Sequence, residues 1–219
     1  DQIWFGVQGS GVGHRGGRLV SAGSGAIQGS IDPSYITWAG TWGSLSPAYD
    51  GLVGPARRGG SDGTQLVPNL ADSLPVIANG ATRYAFRLRR GVRYSNGGLV
   101  RASDFRRSVE RSYRGAHPPR TSPLVGHETC KRRPQSCDLG RGIRTDDAVG
   151  TIVFRLRRPD DQFVQDLSLV WPVPRGTPVT DNGTRPVPST GPYALERYVP
   201  GESLTFVRNP YFRVWAKGA

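Results

Sequence analysis

Three observations predict a mixed α/β fold with α+β character, its short strands arranged in mixed sheets and joined by many turns. The 219 residues include 30 glycines and 18 prolines, about 22% together against a usual ~12%. Either residue costs roughly 1–3 kcal/mol inside a helix, which excludes a helical bundle. Alternation with a period of two recurs at 82–88 and 151–156. In the first run Tyr84, Phe86 and Leu88 alternate with Arg83, Ala85 and Arg87, as in a strand with one buried face. Between these runs Phe105, Val109 and Tyr113 recur every four residues, the stripe of one amphipathic helix over 102–114.

The elements follow in chain order. Gln2-Ile-Trp-Phe-Gly-Val7 reads as a strand and resembles the closing strand of a β-propeller blade. Residues 1–17 are therefore expected to be a leader or linker at the end of a preceding propeller-like domain. The glycine-rich stretch over 8–26 would cradle phosphate only between a strand and a helix with a nearby lysine. Here the short strand Arg18-Leu-Val20 follows and no lysine is near, so linker is the reading. Tyr35, Trp38 and Trp42 recur at spacings of three and four, which a short helix would align along one stripe. That stripe is either core-facing or a flat wall against which a ligand packs.

Asn79-Gly80 marks a tight turn before the strand at 82–88. The helix over 102–114 carries Arg106, Arg107, Arg111 and Arg114, with Arg101 just before it. Glu110 can pair with Arg106 or Arg114 on its outer face, and Gly115 is a natural stop. This basic surface is expected to be a solvated face. A nucleic-acid site interleaves aromatics with cations, whereas Phe105 and Tyr113 fall on the buried stripe. A second helix is expected over 160–169, with Asp160 and Asp161 in its first turn where the helix dipole favours them. Trp171-Pro-Val-Pro174 ends it, and 203–208 is a last strand.

The formal charge of +12 and the pI of about 10.6 would suit nucleic acid or an anionic surface. Yet the only lysines are Lys131 and Lys217, and the arginines scatter from Arg15 to Arg213. That is the mark of a compositional bias, and no nucleic-acid partner is expected. No run approaches the ~18 apolar residues of a membrane span. The sequence has no methionine and no signal-peptide pattern, so it is expected to be a piece of a longer product. Cys130 and Cys137 lie seven apart, and His14, His117 and His127 do not complete a metal set with them. A local disulfide between them, in an oxidising compartment, is the expected reading, with two free thiols as the alternative. No His-Glu-x-x-His motif occurs, and the one Gly-x-Ser-x-Gly spacing, Gly59-Gly-Ser-Asp-Gly63, falls in a turn-rich stretch and not on a strand-to-helix elbow, so neither catalysis nor a cofactor is expected.

The motifs in order carry a resemblance. Tyr49-Asp-Gly-Leu52 is followed by Leu66-Val-Pro-Asn-Leu-Ala-Asp-Ser73. The densest stretch is Tyr84-Ala-Phe-Arg-Leu-Arg-Arg-Gly-Val-Arg-Tyr-Ser-Asn-Gly97, continued by Ala102-Ser-Asp-Phe105 and Ser108-Val-Glu-Arg111. Downstream come Pro172-Val-Pro174, Thr190-Gly-Pro-Tyr193 and Val207-Arg-Asn-Pro210. Collinear from about Arg18 to Trp215, these segments resemble the family 5 extracellular solute-binding proteins, the ligand-binding components of oligopeptide, dipeptide and nickel ABC importers.

The resemblance implies a partial periplasmic-binding-protein type II fold, the first lobe plus the extra subdomain of the peptide-binding class. Segments 18–48 and 173–219 would belong to the first lobe, and 49–172 to the subdomain. It implies a non-catalytic receptor for a peptide or other small solute, outside the bacterial cytoplasm, with an ABC permease as partner. A ligand-sensing domain of a multidomain regulator is the alternative. Tyr35, Trp38 and Trp42, with the hinge-like Ser189-Thr190-Gly191, are expected nearest the cleft. Family members run to about twice this length, and the chain stops where the second lobe should follow. Two lobes close over the ligand by a hinge motion, so this piece is expected to hold ligand weakly.

Overall fold

Turn chemistry sets where the chain reverses, and the elements form between those points. The structure, a computed structural model, describes residues 29–36, 39–56, 60–115, 119 and 121–213. The strands expected at 2–7 and 18–20, the propeller-like leader and Trp38 lie outside the described residues.

The first corrected expectation is the helix carrying Tyr35 and Trp42 on one stripe. The Asp32 carboxylate accepts the Ser34 N–H at 3.0 Å, and the Tyr35 N–H donates to the Asp32 carbonyl at 2.9 Å. This Asx-type turn puts Tyr35 outside the helix, and α1 runs only Ala39–Leu45. Antiparallel strands β1 (Val53–Pro55) and β2 (Leu66–Pro68) follow.

The largest sheet is antiparallel and four-stranded, made of β3 (Val76–Ala78), β4 (Arg83–Arg87), β5 (Ile143–Asp146) and β6 (Thr151–Arg155), in the order β3-β4-β6-β5. The expected turn at Asn79-Gly80 joins β3 to β4, and Asn79, Gly80 and Ala81 all take positive φ there. Tyr84, Phe86, Ile152 and Phe154 are buried. Helix α2 (Ala102–Ser112) packs on β5 and β6 and buries Phe105 and Tyr113. Its start is fixed by Asp104, whose carboxylate accepts the Arg101 N–H and the Tyr94 hydroxyl, both at 2.9 Å.

Helix α3 (His127–Arg132) carries Cys130, which is disulfide-bonded to Cys137 across a Cα–Cα distance of 4.3 Å. This is the bridge expected from the sequence. The helix expected over 160–169 is shorter: α4 spans Phe163–Asp166, and a 3₁₀ turn, Leu167–Leu169, follows. Asp160 instead accepts the Gln162 N–H at 3.0 Å, so the early carboxylate closes a turn ahead of the helix. Strands β7 (Tyr193–Val199) and β8 (Ser203–Arg208) form an antiparallel hairpin.

The buried side chains fall into two clusters. The larger lies between α2 and the four-stranded sheet and reaches Phe163 and Leu167. The smaller joins Ile31, Leu45, Ala48, Tyr49, Trp171, Leu195 and Tyr198. What ties the α2 side to the 30–34 and 171–182 segments is Arg111, expected on a solvated face but only 1% exposed. Its guanidinium donates to both Asp32 carboxylate oxygens, at 2.9 and 2.6 Å, and to the Ser34 hydroxyl at 2.8 Å. It also donates to the Pro178 and Thr180 carbonyls, at 2.8 and 3.0 Å. All five guanidinium protons are thereby used. Asp32, fully buried, also accepts the Asn182 N–H at 3.0 Å.

A second joint lies at Gly191, whose N–H donates to the Ala48 carbonyl at 2.7 Å. A Cβ there would sit 2.7 Å from Ala48 backbone atoms and 2.8 Å from the Pro47 carbonyl oxygen, so only glycine fits without backbone movement.

Three outcomes follow from these contacts. Arg111→Met strands a buried carboxylate and is expected to lower unfolding free energy by about 3–5 kcal/mol, with Asp32→Leu added to it recovering part, measured by urea denaturation. Gly191→Ala is expected to cost about 1–3 kcal/mol through overpacking, seen as a lower melting temperature. Reducing the short Cys130–Cys137 loop is expected to cost about 2 kcal/mol, read by denaturation with and without reductant.

Candidate ligand-binding cavity

Two aromatic side chains singled out from the sequence meet at one concavity. A cavity of about 500 Å³ is lined by Tyr35 and Trp42 together with residues of α2, Pro119, the 121–124 segment and the 163–170 segment. Trp42 is carried by α1 and set in place by the smaller core. Its ring lies 4.3 Å from that of Trp171 at 59°, and Trp171 stacks on Tyr49 at 5.1 Å and 12°. The Tyr49 hydroxyl donates to the Val187 carbonyl at 2.7 Å, and burial holds its phenol well above the ordinary range. Trp42 is thus braced from behind by buried rings.

Tyr35 is positioned differently. Its hydroxyl donates to the Val179 carbonyl at 2.7 Å, and the Arg111 guanidinium lies 5.1 Å from its ring centre, in range for a cation–π contact. Partial burial raises its phenol pKa, with the Arg111 charge opposing the rise. Gly115 lets the ring approach, since a Cβ there would lie 2.8 Å from the Tyr35 ring. The helix stop read from the sequence therefore also makes room for a cavity wall.

The remaining lining is apolar with scattered polar groups: Phe163, Leu124 and Val170 beside Ser112, Ser122 and Asp166. The Asp166 carboxyl is raised, first by burial and then by the nearby Asp160 charge. Tyr113, also on the wall, sits 2.8 Å from the His127 Nδ1 through its hydroxyl, and burial pushes its phenol up to about 12. Beneath lies the Ser34–Ser108 contact at 3.1 Å, and Ser108 donates to the Trp171 carbonyl at 2.6 Å. Aromatic faces with a few hydroxyls suit the holding of a small, partly apolar guest. Among the described residues no group of three His, Cys, Asp or Glu could hold a metal ion, and no helix is long and apolar enough to cross a membrane.

Ser189, Thr190 and Gly191 do not line this cavity. Ser189 and Thr190 are fully buried. The Thr190 hydroxyl accepts the Asp50 N–H at 3.0 Å, and the Ser189 N–H donates to the Ser95 hydroxyl at 3.1 Å. They stitch the return of the chain to the 47–50 and 94–95 segments. Sequence reasoning did not single out Asp32, Ser34, Tyr49 or Trp171 as site-forming residues, and it placed Arg111 on the wrong face.

Comparison with known proteins gives a consistent result. Residues 65–219 match the family model "Bacterial extracellular solute-binding proteins, family 5 Middle". Protein XP55 of Streptomyces lividans is 32% identical over 173 residues, which cover 76% of this chain and 28% of that protein. The probable deoxycholate-binding periplasmic protein YgiS of Escherichia coli (strain K12) is 24% identical, over 84% of this chain and 35% of its own. Among solved structures, clavulanic acid biosynthesis oligopeptide binding protein 2 superposes with a TM-score of 0.70 at 28% identity, covering 84% of this chain and 34% of that one. The Escherichia coli murein tripeptide binding protein MppA gives 0.65 at 21%, over 84% of this chain and 36% of that one, a likeness of fold. The chain spans about a third of the length of these relatives, which makes them more than twice its size. The fold is thus that of the periplasmic binding proteins in part, and the chain belongs to the bacterial extracellular solute-binding proteins of family 5.

Proposed function

We propose that this chain is the first lobe and extra subdomain of a peptide-class receptor that works outside the cytoplasm and delivers its ligand to an ABC permease. It binds without chemistry. The observation that carries this reading is the cavity walled by Tyr35 and Trp42, each braced from behind by its own buried partner. Flat aromatic faces with hydroxyls between them suit a peptide, whose amides need hydrogen bonds and whose side chains need apolar contact. The printed names of two solved relatives, one an oligopeptide binding protein and the other a murein tripeptide binding protein, agree with that ligand class.

In this reading residues 49–172 form the subdomain, while 18–48 and 173–219 form the lobe. The separation of the buried side chains into two clusters supports the division, although Tyr49 and Trp171 pack with the lobe side. Ser189, Thr190 and Gly191 act as the seam about which the lobe is held, one step behind the ligand.

The test is ligand-induced change in tryptophan fluorescence, with tri- to pentapeptide pools set against free amino acids and deoxycholate. The expected result is a saturable change with peptides at millimolar concentration, tightening in the full-length receptor as the second lobe closes. Trp42→Ala is expected to weaken it about tenfold or more, as loss of a central aromatic anchor does. Deoxycholate alone producing the change, or peptides acting equally on Trp42→Ala, would overturn the peptide reading.

A further inference from the structure

The face of the four-stranded sheet turned away from α2 has a composition that the receptor reading leaves unused. Alternation along the strands puts Tyr84, Phe86, Ile152 and Phe154 on the inner face and their neighbours on the outer one. The register then places Arg83 directly opposite Arg155, and Arg144 opposite Val153. Like charges facing each other across adjacent strands destabilise a sheet. None of these three arginines has an ion pair among the described residues, whereas Arg87, one row along, reaches Asp72 at 3.8 Å. Asp146, at the far end of β5, turns its carboxylate to the backbone N–H groups of Ala148 and Val149. The outer face therefore carries a net positive charge, with Asp146 its one carboxylate on these strands among the described residues.

At the edge of this face lies β3, with no strand on its outer side among the described residues. Val76 there, paired with Ala85 on the outer face, is 67% exposed. An open sheet face with arginines across it and the apolar, exposed Val76 at its rim fits a flat partner that is anionic and greasy beneath its charged layer. We infer that this face docks on an anionic lipid surface. A second copy of the chain is a poorer occupant, because 29 cationic residues face only 17 acidic ones and copies repel. A short acidic peptide would meet the patch alone. An extended anionic layer meets the whole +12 excess, and its attraction accumulates with each basic residue near the surface.

The test is co-sedimentation of the 219-residue chain with sucrose-loaded vesicles of phosphatidylcholine, with and without one-quarter phosphatidylglycerol. Binding is expected only with phosphatidylglycerol, falling as salt is raised. The triple variant Arg83→Gln, Arg144→Gln, Arg155→Gln is expected to lose on the order of 100-fold in partitioning. A matched triple on exposed positions outside this sheet, Arg185→Gln, Arg197→Gln, Arg208→Gln, removes the same charge and is expected to lose much less. Val76→Ser is expected to weaken binding severalfold at unchanged charge. Should the first triple fail to fold, Arg155→Glu decides, since it sets an acid opposite Arg83 and is expected to bind more weakly while melting no lower than the parent. Equal losses in both triples, absence of binding at low salt, or capture by polyglutamate in place of vesicles would overturn the inference.

Discussion

The buried pairing of Arg111 with Asp32 is the constraint on which the rest of the molecule rests. Taking two charges out of water costs several kcal/mol per ion unless every donor and acceptor finds a partner. Here all are met at once: α2 supplies the cation, the turn after Ser30 supplies the anion, and the Ser34 hydroxyl with the carbonyls of Pro178 and Thr180 takes the remaining protons. Three segments far apart in sequence must therefore arrive together. A planar fork is needed for this geometry, and the point charge of a lysine would leave part of it unmet. The same guanidinium faces the Tyr35 ring, so the interaction that joins the segments also shapes one wall of the cavity.

Much of the fold was legible because its signals are local. Alternation at Tyr84, Phe86 and Leu88 and the stripe of Phe105 and Tyr113 needed only neighbouring residues, and both elements formed where expected. The cysteine spacing likewise pointed to a short bridge. What misled was the assumption that arginine faces water. Asp104, Phe105, Ser108 and Arg111 are spaced by one, three and three, so a helix brings Arg111 round to the buried side. That signal was present but was outweighed by charge. Its partner Asp32 lies 79 residues away, and no local pattern announces such a pair.

The site was half legible for the same reason. Tyr35 and Trp42 reach one cavity, though by separate routes: a turn closed by Asp32 for one and a short helix for the other. The bracing rings were invisible, since Trp171 read only as the residue before a helix-ending proline and Tyr49 only as part of a motif. Ser189, Thr190 and Gly191 carry a recognisable motif, yet their observed hydrogen bonds run to Ser95, Asp50 and Ala48. A motif of this kind marks where a chain crosses its own backbone closely, and Gly191 shows why: the space for any side chain is already filled by the Ala48 and Pro47 carbonyls.

The sulfur bridge has a consequence of its own. Between Cys130 and Cys137 lie Lys131, Arg132 and Arg133, all exposed, the residue types after which trypsin-like proteases cut. A cut after Lys131 or Arg132 opens the chain but not the covalent circuit, because both new ends stay tethered through Cys130 and Cys137. A domain cut there would remain one molecule, with Pro134 shielding the bond after Arg133 from the same attack.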